Sequence, residues 1–303
     1  MRRFILITGP TGSGKSNLSV QLAKAMKTEI ISADSVQVYK GFDIGSGKIT
    51  EEEKEGITHH LIDIREGDEP YSAADFYQEA TPIIDRLNGE GKIPIICGGT
   101  ALYIHGLIYD IQFGHKPSLN YRNELNAIYE EKGLEYLVKI LEEKNPKLAE
   151  NTDLLNPRRV MRALEKLESG HYDGENLRKK RENVRWDYFI LNWDRDTLYD
   201  RINRRVLHMV EDGLFDEVEN LYKHYGDVKP LQAIGYKEVV NYLKGEWDRD
   251  IAIEKIQQHS RNFAKRQLTW FRKEEDGILL DMEAMSIDEA IKTVLERVNY
   301  DDK

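Results

Sequence analysis

The chain is 303 residues long with a formal net charge of −10, and 32% of its residues are Asp, Glu, Lys or Arg. That length suits one large α/β domain or a core domain with an insert, and no apolar run approaches the ~18 residues that a membrane helix needs. The lone cysteine, Cys97, excludes an internal disulfide, so a reducing, cytoplasmic setting is expected, with no signal peptide because the chain opens directly on a strand-like run.

The first predicted strand, 4–8, runs straight into GPTGSGKS. Gly9, Pro10, Thr11, Gly12, Ser13, Gly14, Lys15 and Ser16 match the spacing G-x-x-x-x-G-K-[ST] of a phosphate-cradling P-loop. Its glycines let successive N–H groups turn inward around an anion, Lys15 adds a point charge, and the Ser16 hydroxyl can hold Mg²⁺. The following helix, 17–26, aims its positive dipole end at the same place. Further apolar runs at 29–32, 60–64 and 93–97 alternate with helical patterns at 72–88 and 102–109, the first of which opens on a Ser72–Asp75 capping box. Such alternation predicts a doubly wound parallel sheet, with ligands beyond the carboxyl ends of its strands, at 9–16, 34–35 and 98–100.

After residue 114 strands vanish and helical patterns take over at 119–131, 134–144 and 157–169. We read 115–185 as a helical insertion domain, and 1–114 with 186–303 as the core, to which a strand at 188–193 returns. Helices are expected from there to the end, the longest at 196–212 and 251–273, while the polar stretch 171–185 reads as a loop. The fold class is α/β, a P-loop NTPase-like parallel sheet core with a helical insertion domain. Charge is uneven: residues 255–273 hold six Lys or Arg and no Asp or Glu, which makes this stretch a candidate polyanion surface within an acidic protein.

Asp34, at the end of the second predicted strand, can serve as a Mg²⁺ ligand, a general base or a helix cap, and its position alone leaves all three open. Thr100, in the turn Gly98–Gly99–Thr100, can offer a hydroxyl to the same ligand or simply start a helix. His59 and His60 are adjacent on a strand and so point to opposite faces, which argues against a metal site. Cys97 reads as a buried strand residue.

The segments GPTGSGKS, DSVQVYKGFDIGSGK, HHLIDI with YSAADF, IPIICGGTALY, NPRRVMRALE, QAIGYKE and AKRQLTWFR stand in the order and spacing of the bacterial tRNA dimethylallyltransferases, or tRNA isopentenyltransferases. The chain resembles that family from Gly9 to Arg272. The resemblance implies transfer of a dimethylallyl group from dimethylallyl diphosphate to the N6 amine of the adenine 3′ of a tRNA anticodon, position 37. The P-loop would hold the diphosphate, with Mg²⁺ as cofactor. The resemblance also implies that Asp34 takes the amine proton, that Thr100 stands beside it, and that Arg205, in RINRRV, reaches the diphosphate. Asp34, Ser35, Val36, Gln37 and Thr100, with Gln232, Ala233, Ile234, Gly235 and Tyr236, resemble segments that meet the tRNA bases. Arg158, Arg159, Lys265 and Arg266 would hold its backbone, although Arg158 and Arg159 could instead pair with Glu165 or Asp153. No obligatory protein partner is implied, and a monomer is expected.

Gly12 and Ser16 depart from the alanine and threonine common in the family but preserve the turn and the hydroxyl. The sequence before Lys48 also departs, which leaves that lysine without an assigned role. Taken without the resemblance, the residues leave two other functions open: a P-loop kinase with Asp34 as base and the basic run 178–181 as lid, or a non-catalytic RNA-binding switch.

Overall fold

Strand β1 (Arg2–Thr8) is apolar on both faces and wholly buried from Phe4 to Ile7, as befits a strand with neighbours on both sides and helices above and below. A computed structural model describes residues 1–111, 119–169 and 179–300 of the chain. Behind β1 follow α1 (Lys15–Met26), β2 (Ile30–Ser32), the single turn α2 (Glu51–Lys54), β3 (His59–His60), α3 (Ala73–Gly89), β4 (Ile95–Cys97) and α4 (Ala101–Ile108). Three helices come next: α5 (Leu119–Lys144), α6 (Pro146–Glu150) and α7 (Pro157–Glu168). The chain then continues through β5 (Val184–Asn192), α8 (Arg195–Glu211), α9 (Leu214–Tyr225), α10 (Tyr236–Leu243), α11 (Arg249–Phe271), β6 (Gly277–Asp281) and α12 (Ile287–Tyr300).

All six strands are parallel, in the order β3-β2-β4-β1-β5-β6. Because β4 lies between β1 and β2, with Ile7, Cys97 and Ser32 side by side in the register, the loops leaving these three strands emerge together. Helices α1 and α12 cover the face that carries Ile5, Ile7, Ile30, Ile95 and Phe189. Helix α3 packs against β1 and α4, and begins on the expected capping box: the Ser72 N–H donates to Asp75 (2.9 Å) and the Asp75 N–H to Ser72 (3.3 Å). No helix among the described residues is long and apolar enough to cross a membrane.

The structure departs from the sequence reading in several places. Of the run 60–64 only His60 pairs as strand, at the end of β3, because Leu61 (φ 62) and Asp63 (φ 56) turn left-handed and the Asp63 and Ile64 N–H groups go to Gln37 and Val38 carbonyls. Strand β6 stands where only helices are expected. Its five residues are too few to show a period, and pairing with β5 supplies what the local sequence does not.

The chain divides into one unit of Met1–Ile108 with Arg181–Lys303 and a second of Tyr109–Lys180. Strand β5 begins at Val184, so the expected insert 115–185 overlaps its first residues. Inside the second unit α5 breaks at Gly133 (φ 77), which makes the expected helices 119–131 and 134–144 two arms of one run. Leu125, Leu137, Leu141, Val160 and Leu164 fill its core. The part of the expected loop at 171–178 lies outside the described residues.

Candidate active site

Gly14 caps α1 in a left-handed conformation (φ 92) and has no side chain with which to cap it, so the first N–H groups of the helix stay open. Among the described residues the N–H groups of Gly12, Gly14, Lys15 and Ser16 meet no acceptor. The loop is held in this attitude from behind. Arg201 Nε donates to the Gly12 carbonyl (3.0 Å) and Trp193 Nε1 to the Ser13 carbonyl (2.9 Å), with the Arg201 guanidinium 4.3 Å from the Trp193 ring centre. In a trans peptide, a carbonyl drawn to one side sends the next N–H to the other.

The remaining loop residues build the cradle. Gly9 abuts the Leu191 carbonyl, Pro10 accepts from Lys15 Nζ (2.7 Å), the Thr11 N–H donates to Gln267 Oε1 (2.9 Å), and the Ser13 N–H donates to Pro10 (3.3 Å).

Lys15 and Arg205, the latter from α8, line one cavity of about 420 Å³. Lys15 is half-buried, but its amine lies deep, and burial holds its pKa down to about 8, with Arg205 pushing the same way. Burial likewise lowers the Arg205 guanidinium from its ordinary value. Among the described residues neither cation has a carboxylate within ion-pair distance, and Asp34 attracts both only from farther away. Arg205 owes its place to Gly47, where a Cβ would overlap the guanidinium. Two cations facing a cavity with no carboxylate of the described residues at ion-pair distance suit it to an anion.

The loop that bears Gly47 rests on an anion of its own. The N–H groups of Asp43 (3.2 Å), Ile44 (2.7 Å) and Gly45 (3.0 Å) donate to the carboxylate of Glu217, on α9. The Tyr236 hydroxyl donates to the same carboxylate (2.9 Å) and accepts from the Ser46 N–H (3.0 Å). Tyr236, expected among the base contacts, lines the same cavity, and its wholly buried side chain supports this loop. Lys48 Nζ donates to the Tyr39 carbonyl (2.9 Å) and to Asp43 and Asp63 (2.5 Å each), which gives that lysine a structural task.

Asp34 Oδ1 accepts the N–H groups of Val36 (2.8 Å) and Gln37 (3.2 Å), while Oδ2 has no partner among the described residues. One oxygen caps the turn and the other stays available. Thr100 Oγ1 accepts the Ser35 N–H (3.1 Å), and the Thr100 N–H donates to Ala33 (3.2 Å). This close approach requires Gly98, where a Cβ would overlap the Ala33 carbonyl. Cys97 lines the same cavity half-buried, its thiol pushed up by burial. His59 and His60 are engaged with the Ile57 carbonyl (2.9 Å) and Glu29 (2.6 Å).

Ser35, Val36, Gln37, Gln232, Ala233, Ile234, Gly235 and Arg266 also line this cavity. Lys265 lies outside it, in a shallow depression with Asn262, Arg266, Thr269, Trp270 and Lys273. In the second unit Arg158 and Arg159 are exposed. Arg159 faces Asp153 at 3.7 Å, whereas Glu165 is taken by Arg122 (2.6 Å) and Arg162 (3.0 Å) and leaves Arg158 without an acid partner among the described residues. Burial pushes the Glu165 carboxyl up, but those two arginines outweigh it and hold it below the usual range. Sequence reasoning missed Trp193, Arg201, Glu217 and Gln267. Only Arg201 left a signal, standing one helical turn before Arg205 in RINRR.

This geometry is that of a P-loop protein, with open N–H groups and two cations facing a cavity that Asp34 also lines. A family model described as IPP transferase matches residues 37–274, and the chain belongs to the IPP transferase family. It is 45% identical over 303 residues to the tRNA dimethylallyltransferase of Macrococcus caseolyticus, a match that covers 99% of this chain and 97% of that one. Its fold is similar to the crystal structure of the full-length tRNA isopentenylpyrophosphate transferase of Bacillus halodurans, with TM-score 0.75, 40% identity, and 99% and 96% of the two chains covered. It is also similar to a eukaryotic dimethylallyltransferase acting on tRNA, with TM-score 0.85, 27% identity, and 99% and 80% covered.

Proposed function

We propose that the chain transfers the dimethylallyl group of dimethylallyl diphosphate to the N6 amine of adenine 37, 3′ of a tRNA anticodon, forming N6-isopentenyladenosine and releasing diphosphate. The observation that carries this reading is one cavity in which, among the described residues, Lys15 and Arg205 have no carboxylate at ion-pair distance while Asp34 Oδ2 has no partner. An adenine amine is a poor nucleophile, since its lone pair is delocalised into the ring, so orientation against the allylic carbon matters as much as basicity. The amine nitrogen bonds to C1 of the allyl group, the C1–O bond breaks onto diphosphate, and the amine proton passes to Asp34 Oδ2. Negative charge then grows where Lys15, Arg205 and the open N–H groups of Gly12, Gly14, Lys15 and Ser16 stand preorganised to stabilise it. Thr100 holds the peptide of Ser35 and with it the turn that bears Asp34.

Among the described residues no three His, Cys, Asp or Glu side chains gather to cage a metal. Mg²⁺ fits all the same, because it takes most of its ligands from phosphate and water, and the exposed Ser16 hydroxyl on the first turn of α1 would hold it. When bound it would neutralise charge on the diphosphate. To reach the cavity the adenine must leave its stack. The turn 34–37 and the loop 232–235 offer polar edges to the base, and the exposed Arg158, Arg159, Lys265 and Arg266 offer cations to tRNA phosphates.

The test is incubation with unmodified tRNA, dimethylallyl diphosphate and Mg²⁺ followed by nucleoside mass analysis. A gain of one prenyl group on adenosine is expected. No gain, together with thermal protection by ATP and none by dimethylallyl diphosphate, would overturn the reading.

A further inference from the structure

Gln267 sits on the buried side of α11 and is 7% exposed. Its Oε1 accepts the Thr11 N–H of the phosphate loop (2.9 Å), and its Nε2 donates to the Gly99 carbonyl (3.2 Å). The seat is tight, since a Cβ on residue 99 would overlap Nε2. The next residue, Thr100, passes the connection on through its N–H to Ala33 (3.2 Å) and its hydroxyl to the Ser35 N–H (3.1 Å). The turn reached in this way is the one in which Asp34 Oδ1 takes the N–H groups of Val36 and Gln37. One side chain therefore joins the loop proposed to cradle the leaving group to the turn proposed to carry the proton acceptor.

Resting on the function proposed above, we infer that Gln267 is a positioning residue that sets the spacing between the diphosphate and amine halves of the site, acting through Thr11 and Gly99. An amide is the group this position requires, with one atom that accepts and one that donates. A carboxylate would set an oxygen anion against the Gly99 carbonyl, and an apolar isostere would leave the Thr11 N–H and the Gly99 carbonyl unpaired. Ground-state binding of the diphosphate rests on Lys15, Arg205 and the open N–H groups, none of which Gln267 bonds. The spacing enters the rate of the chemical step, where misplacement by about 1 Å is worth roughly 100-fold.

The experiment compares wild type, Gln267→Met, Gln267→Glu and Gly99→Ala in steady-state transfer from dimethylallyl diphosphate to an unmodified anticodon stem-loop, with thermal melts alongside. Gln267→Met is expected to lower kcat ~10- to 100-fold while KM for either substrate stays within about threefold. Gln267→Glu should fall further. Gly99→Ala attacks the same contact from the other side and should show the same kcat-only signature, which decides the matter if the Gln267 variants do not fold. A kcat within about threefold of wild type, or a loss confined to KM, overturns the role of Gln267. Wild type that transfers nothing overturns the proposed function itself, and this inference with it.

Discussion

The tetrapeptide Gly-Ser-Gly-Lys occurs twice, at 12–15 and at 45–48, in two loops that border one cavity. Both loops turn backbone N–H groups toward a point where an anion belongs. In the second loop that point is filled by Glu217, which takes the N–H groups of Asp43, Ile44 and Gly45, and Lys48 is locked between Asp43 and Asp63. In the first no carboxylate of the described residues arrives, and Lys15 faces the cavity beside Arg205. The same local sequence thus makes a closed, structural nest and an open, binding one, and what separates them is a carboxylate on a distant helix.

The hardest test of that contrast sets the two lysines against each other. Lys15→Ala should slow prenyl transfer by ~1,000-fold, the scale of losing one preorganised donor at a developing anion. Its melting temperature should hold or rise, because the substitution removes a buried cation that has a carbonyl but no carboxylate of the described residues beside it. Lys48→Ala should do the reverse, with a clearly lower melting temperature and a much smaller loss of rate, since it leaves Asp43, Asp63 and the Tyr39 carbonyl without their donor. Single-turnover transfer and thermal melts read both; lysines that behave alike would dissolve the distinction.

The transfer proposed at the open loop needs a proton acceptor across the cavity, and Asp34→Asn tests whether Asp34 is that group. Asparagine Oδ1 can still accept from Val36 and Gln37, so the turn survives while the proposed base is lost. A fall in kcat of ~100-fold is expected, with tRNA affinity by fluorescence anisotropy unchanged within about threefold. Loss of affinity in step with rate would make Asp34 a cap alone. A smaller effect comes from prising the closed nest open. Glu217→Gln puts an amide nitrogen against N–H donors, which should cost about 2 kcal/mol of stability in denaturant unfolding; unchanged stability would mean that the carboxylate is not what closes the loop.

The motif at 9–16, the capping box at Ser72 and the alternation of strands with helices are local patterns, and the sequence displays them because their causes lie within a few residues. That the loops after β1, β2 and β4 emerge side by side follows from strand order, which no local pattern carries. Gln267 and Glu217 stand 256 and 172 residues from Thr11 and Gly45, so their short-range surroundings read as unremarkable helix. Lys48 shares the local pattern of Lys15, and its different task is set by Asp43, Asp63 and the Tyr39 carbonyl rather than by its neighbours in sequence. The strand at 277–281 and the turn that ends β3 at His60 are likewise decided by partners, Tyr188–Asn192 in one case and the Gln37 and Val38 carbonyls in the other.

The gentlest probe of the open loop is pH, through Lys15. Its amine is held down to about 8 because burial disfavours the charged form. In the unfolded chain it titrates near ~10.4, so the charged lysine weakens the empty fold fully below pH ~8, and that penalty lifts as the pH rises toward ~10.4. A diphosphate in the loop favours the charged form and carries the pKa back up. Affinity for dimethylallyl diphosphate should therefore be flat below pH ~8 and decline above it, about tenfold by pH 9, as each binding event must first recover a proton. The ligand-induced rise in melting temperature should shrink over the same window. Lys15→Ala serves as the control, since any slope it retains belongs to the ionisation of the ligand. An affinity that stays level from pH 7 to 9 in the wild type would mean that Lys15 is already paired in the empty protein, and the first loop would then be as closed as the second.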